Sequence, residues 1–91
     1  MVRPGRKPTS ATAVQRGARL AAELRARREE QNLSQPKLAQ LAAVEVETLR
    51  KIEAGRTSQP GFFTVVDLAH ALGVRLADLE ASTQTTVLQE G

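Results

Sequence analysis

Between residues 15 and 81 the apolar positions recur every three or four residues, a spacing that predicts helices throughout. Leu20 and Leu24 share one face of a first helix over 15–32. The rest of that stretch is rich in Ala, Arg and Glu, all good helix formers. Arg27 and Arg28 lie a further turn along, and Leu33-Ser34 breaks the pattern. Ser34 is an N-cap residue, and Pro36 falls in a first turn, where a missing N–H leaves nothing unpaired. Leu38 and Leu41, with Ala39 and Ala42 beside them, predict a second helix of about two turns. A third covers 45–54, with Leu49 and Ile52 inward and Gly55 as its C′ residue. GRTSQPG is a loop. Phe62, Val65, Leu68 with Ala69, and Leu72 form the stripe of a fourth helix closed by Gly73, with Val74 as the apolar residue after it. Leu76 and Leu79 mark a short fifth. No internal repeat is present, and the predicted class is all-α.

The ends of the chain have a different composition. Residues 1–14, MVRPGRKPTSATAV, hold two prolines, a glycine and small hydroxyl residues, and are expected to form a flexible basic arm. Residues 15–81 are expected to be the domain. Residues 82–91 form a polar tail, in which disorder or a short strand at 85–88 are the alternatives.

Charge sharpens this division. Residues 1–20 carry Arg3, Arg6, Lys7, Arg16 and Arg19 and no acid, against eight bases and ten acids in 21–91. The basic character of a chain of net charge +3 is thus an N-terminal property. At 91 residues and 41% apolar there is material for one core and little else. A ligand-binding or self-cleaving domain is therefore not expected. With two aromatics, Phe62 and Phe63, that core must be built of Leu, Val, Ile and Ala. No apolar run approaches the roughly 20 residues of a membrane span, and no apolar segment of a signal peptide follows the N-terminal charges. There is no cysteine, and His70 beside the fourth stripe cannot make a metal site alone. With no nucleophile–base pair or metal cluster in view, an enzyme is not expected, nor a cofactor.

The positions Leu38, Ala39, Ala42, Val44, Leu49 and Ile52 fit two short helices meeting steeply through a tight turn, with Ala39 small at the crossing. This is the helix-turn-helix arrangement, whose second helix enters the major groove of DNA. The ordered pieces LRARREEQNLSQ, KLAQLAAV, IEAG and DLAHALGV go further. Over 24–79 the chain resembles the Cro and phage-repressor type of helix-turn-helix domain, the XRE family. The resemblance implies a compact five-helix domain that binds double-stranded DNA in a bacterial or phage cytoplasm. It also implies a homodimer gripping two half-sites.

Carried over by position, the resemblance puts Ser34 and Gln35 at a phosphate-contacting helix start. It puts Val46, Glu47 and Lys51 on the base-facing side of the third helix, with Arg50 beside them. Arg56, Thr57 and Ser58 fall in a loop that touches the backbone, and Arg28 and Glu53 fall where the family has a structural ion pair. Arg3, Arg6 and Lys7 would act as an arm reaching into a groove. Ala43 stands where the family favours Gly, in a turn requiring positive φ, at a cost of about 1–2 kcal/mol. Glu45 replaces the usual small hydroxyl cap.

Two readings stay open for the carboxylates that begin the third helix. Each is favoured by the helix dipole, and Glu47, on the groove face, could also accept a hydrogen bond from a cytosine amino group. Val46 would suit a thymine methyl, or be one exposed valine among others. The leading function is a sequence-specific DNA-binding transcriptional regulator of repressor type. The alternative is an antitoxin or adaptor that uses the same scaffold to bind a protein partner, as the net negative charge of 21–91 would allow.

Overall fold

The computed structural model describes residues 11–57 and 59–84, which form five helices: α1 (Ala11–Glu30), α2 (Gln35–Ala42), α3 (Val46–Glu53), α4 (Phe62–Leu72) and α5 (Leu76–Ser82). Each helix contributes one fully buried leucine to a shared core: Leu24, Leu38, Leu49, Leu68 and Leu79. Each such burial contributes about 1.5–3 kcal/mol. Ile52, Leu72 and Leu20 extend this core, with Ala39, Ala42 and Ala69 buried among them. α1 packs against α3 and α5, and α2 against α3 and α4, so α1 and α4 flank the α2–α3 pair. None of the described helices is long and apolar enough to cross a membrane.

Four of the helices end the same way. A residue with positive φ follows each of α1 to α4: Asn32 at 56°, Ala43 at 59°, Gly55 at 70° and Gly73 at 73°. After α2, Val44 N–H donates to the Ala39 carbonyl at 2.9 Å and Ala43 N–H to Gln40 at 3.2 Å. After α4, Val74 and Gly73 make the same pair of bonds to Ala69 and His70. This is the Schellman arrangement, and the residue after the left-handed position packs back on the core, as Leu33, Val44 and Val74 do. Glycine and asparagine enter left-handed backbone at little cost; Ala43 does not. Ala43→Gly is therefore expected to stabilise the domain by about 1 kcal/mol, raising its melting temperature by roughly 4–8 °C. A thermal melt that stays in place or falls would show the turn to be unstrained.

The boundaries differ from those of the sequence pattern at both ends. α1 begins at Ala11, inside the stretch expected to be arm, because Ala11-Thr12-Ala13-Val14 contains no helix breaker. Its first turns also have tertiary partners: Gly17 is buried, and Arg16 Nη2 donates to Thr83 Oγ1 at 3.0 Å. Thr83 itself is buried just past α5 and donates to the Glu80 carbonyl at 2.7 Å, so the ordered domain runs past 81. The possible strand at 85–88 lies outside the described residues.

Three members of the predicted stripes are exposed rather than in the core: Leu41, Phe62 and Leu76, the last at the first position of α5. Phe62, the first residue of α4, is 63% exposed. Leu41 is exposed because Leu38, Ala39 and Ala42 point α2 inward, leaving position 41 well round the helix from that direction.

Candidate nucleic-acid interface

Ser34 caps α2 in extended backbone, its Oγ accepting from Lys37 N–H at 3.1 Å. Pro36 sits in the first turn without leaving an unpaired donor. The three-residue turn at 43–45 then delivers α3, whose Leu49, Ile52 and Glu53 are buried. With 100° between successive residues, those three positions fix the outward side of α3 at Glu47, Arg50 and Lys51, all exposed. Val46 stands at the margin of that side and is half-buried against the core, less available than a valine on the open face would be.

The two carboxylates at this helix start are in different situations. Glu45 is the N-cap residue and makes no side-chain capping bond. Glu47 accepts from Arg50 Nη1 at 2.7 Å across one turn. Both partners are largely in solvent, so the pair contributes about 0–1 kcal/mol to stability. What the pair does is hold one guanidinium over the outward face and offset one carboxylate there. Among the described residues, Lys51 and Arg56 make no ion pair.

Behind this face lies a buried polar cluster. Glu53, 2% exposed, accepts from Arg28 Nε and Nη2, both at 2.8 Å, in a bidentate pair. Arg28 Nη1 also donates to the Leu33 carbonyl at 2.9 Å. The hydrogen-bonded Glu53 carboxylate raises the Arg28 pKa above its ordinary value. Gln35 Nε2 donates to Glu53 Oε1 at 3.0 Å, so this side chain at the start of α2 is partly committed to the protein, with its second N–H left over. Arg25 Nη2 donates to the Glu53 backbone carbonyl at 3.1 Å. The cluster thus ties α1, the turn before α2, the first residue of α2 and the last of α3 into one frame. Arg25 was not singled out from the sequence; its signal is the three-residue step to Arg28, which puts both on one face of α1.

Of the remaining sequence candidates, Arg56 is exposed just after α3, and Thr57 Oγ1 accepts from Gln59 N–H at 3.3 Å. Ser58 and the arm residues Arg3, Arg6 and Lys7 lie outside the described residues.

Comparison with known proteins gives two findings. Residues 19–81 match the family model described as a helix-turn-helix domain. The fold is similar to the crystal structure of the clp gene regulator ClgR from C. glutamicum, with a TM-score of 0.66 and 26% sequence identity. That match covers 75% of this chain and 87% of the ClgR chain. No match is found among curated proteins.

Proposed function

The chain belongs to the helix-turn-helix domain family, DNA-binding and non-enzymatic, and on that premise we propose that it is a sequence-specific transcriptional repressor reading the major groove with α3. One observation carries the reading. The outward side of α3 is polar and carries Glu47, Arg50 and Lys51, while its inner side is fixed by the core and the Glu53 cluster. In this role Arg50, Lys51, Glu47 and the margin residue Val46 face base edges. Ser34, the free N–H of Gln35, Arg56, Thr57 and Ser58 meet phosphates, and Arg3, Arg6 and Lys7 reach a neighbouring groove. The protein binds as a homodimer on two half-sites. Repression needs nothing beyond occupancy of a promoter. In a purified transcription assay, a site placed across a promoter is expected to lose transcripts as protein is added; a rise would make the protein an activator.

The acid on the groove side has a use in this scheme. Glu47 repels phosphate, gains nothing from acceptor-only base edges, and restrains Arg50, whose charge would otherwise bind any DNA. Glu47→Gln is expected to bind non-specific DNA more tightly and to lose preference at one base pair by roughly 1–3 kcal/mol. Glu45→Gln is expected to leave base preference alone and to weaken the helix slightly through its dipole. Titration of both variants against every base at each position of the bound site tests the pair. Full preference retained by Glu47→Gln would mean that the carboxylate discriminates nothing.

A further inference from the structure

The chain's two aromatic residues are both on its surface. Phe62 and Phe63 are 63% and 77% exposed and pack edge to face, with ring centres 5.3 Å apart. Two adjacent exposed rings at a helix start are a large apolar projection for a domain this small. Phe62, with Phe63 beside it, is one wall of an open groove of about 560 Å³ between α1, α4 and α5, whose other apolar walls are Leu20, Val65, Leu76 and Leu79. The groove also carries one base, Arg16, and one acid, Glu80.

We infer that this face is where a second copy of the chain docks, with the Phe62–Phe63 projection of each copy seated in the groove of the other. A two-fold contact brings one patch against itself, so the patch must be self-complementary in shape and in charge. The charge condition is met here. Projection and groove lie side by side on one copy, and the rim holds charges of opposite sign, where a rim of one sign would repel its twin. Across the two-fold, Arg16 of each copy meets Glu80 of the other. Arg16 uses one N–H on Thr83 and Glu80 accepts from Gln84, which leaves donors on the guanidinium and lone pairs on the carboxylate for this contact. The inference rests on the proposed DNA-binding function only in its purpose, the spacing of two α3 helices over two half-sites.

The test is the mass of the purified full chain in the absence of DNA, by sedimentation velocity over a range of concentrations. The wild type is expected to be a dimer. Phe62→Ala and Phe63→Ala are expected to weaken it by roughly 30-fold or more, as interface hot spots do. Leu41→Ala, an exposed leucine away from the groove, should leave it unchanged. The sharper experiment uses charge reversal. Arg16→Glu and Glu80→Arg are each expected to be monomeric alone, because both cross-pairs become like-charged. Mixed in equal amounts they should form a heterodimer, because both cross-pairs are again opposite in sign; a folding defect would not be repaired by mixing. Circular dichroism melts of each variant identify any that fail to fold. A wild type monomeric at every concentration overturns the inference, as does a dimer indifferent to all four groove substitutions. A chain that dimerises only after removal of 85–91 shows the groove's occupant to be its own tail, and likewise overturns it. A dimer that binds no DNA would overturn the proposed function and leave this interface standing.

Discussion

Glu53→Ala is expected to cost the domain about 3–5 kcal/mol, the penalty for breaking a buried ion pair from one side. The Arg28 and Glu53 side chains are 12% and 1% exposed, and they meet through two parallel hydrogen bonds. Removing the carboxylate leaves the Arg28 guanidinium with only the Leu33 carbonyl, and strips Gln35 of its acceptor. For a domain of this size each kcal/mol is worth roughly 4–8 °C, so the melting temperature should fall by at least roughly 12 °C. Arg28→Ala should cost a similar amount, and the double substitution clearly less than the two losses added together. An apolar replacement of both partners, Arg28→Met with Glu53→Leu, is expected to be milder than either single change. Strictly additive losses in thermal melts would contradict an energetic link between the two residues. The pair also bears on function, because it fixes the end of α3 relative to the start of α2. A variant that stays folded should therefore bind DNA less selectively as well as more weakly.

Removal of residues 1–10 is the second large effect expected. That segment holds Arg3, Arg6 and Lys7 and no acid, whereas residues 21–91 have two more acids than bases. The cut is placed before Ala11 so that α1 is kept whole. Each phosphate neutralised contributes about −0.9 to the slope of log K against log salt, so the slope should flatten by up to about 2.7. Near 0.1 M salt this corresponds to a loss of affinity on the order of 10²-fold. Site preference should change little, since phosphate contacts carry no direct sequence information. An unchanged slope, measured by titration at several salt concentrations, would make the arm a bystander.

Much of the framework is legible in the sequence because it is written in local signals. Ser34 and Pro36 mark a helix start, Gly55 and Gly73 mark helix ends, and three- and four-residue steps between leucines mark the inner faces. Left-handed backbone at Ala43 follows only from the family resemblance, since nothing in an alanine announces positive φ. Local signals fail where topology decides. Periodicity gives the direction of a stripe but not which of its members a neighbour covers: Phe62 lies on the stripe of α4 and is exposed. The composition of 1–14 predicts an arm where the structure starts α1 at Ala11, and this end of the helix is tied by the Arg16–Thr83 bond between residues 67 apart in sequence. The resemblance gives Gln35 a phosphate role, and its bond to Glu53 exists only once α2 and α3 have packed. In the same way Glu47 is paired with Arg50 one turn away, a contact that helical spacing permits but does not announce.

The central claim, that α3 reads a defined DNA sequence, is tested most directly by selecting bound fragments from a random pool of duplex DNA. The wild-type chain and Lys51→Ala should be run side by side. The expected result for the wild type is a discrete motif of two inverted half-sites with centres about 10 base pairs apart, one helical turn. Lys51→Ala, folded to the same degree by circular dichroism, should lose the motif at corresponding positions in both halves. Recovery of no discrete motif by the wild-type chain would contradict the claim.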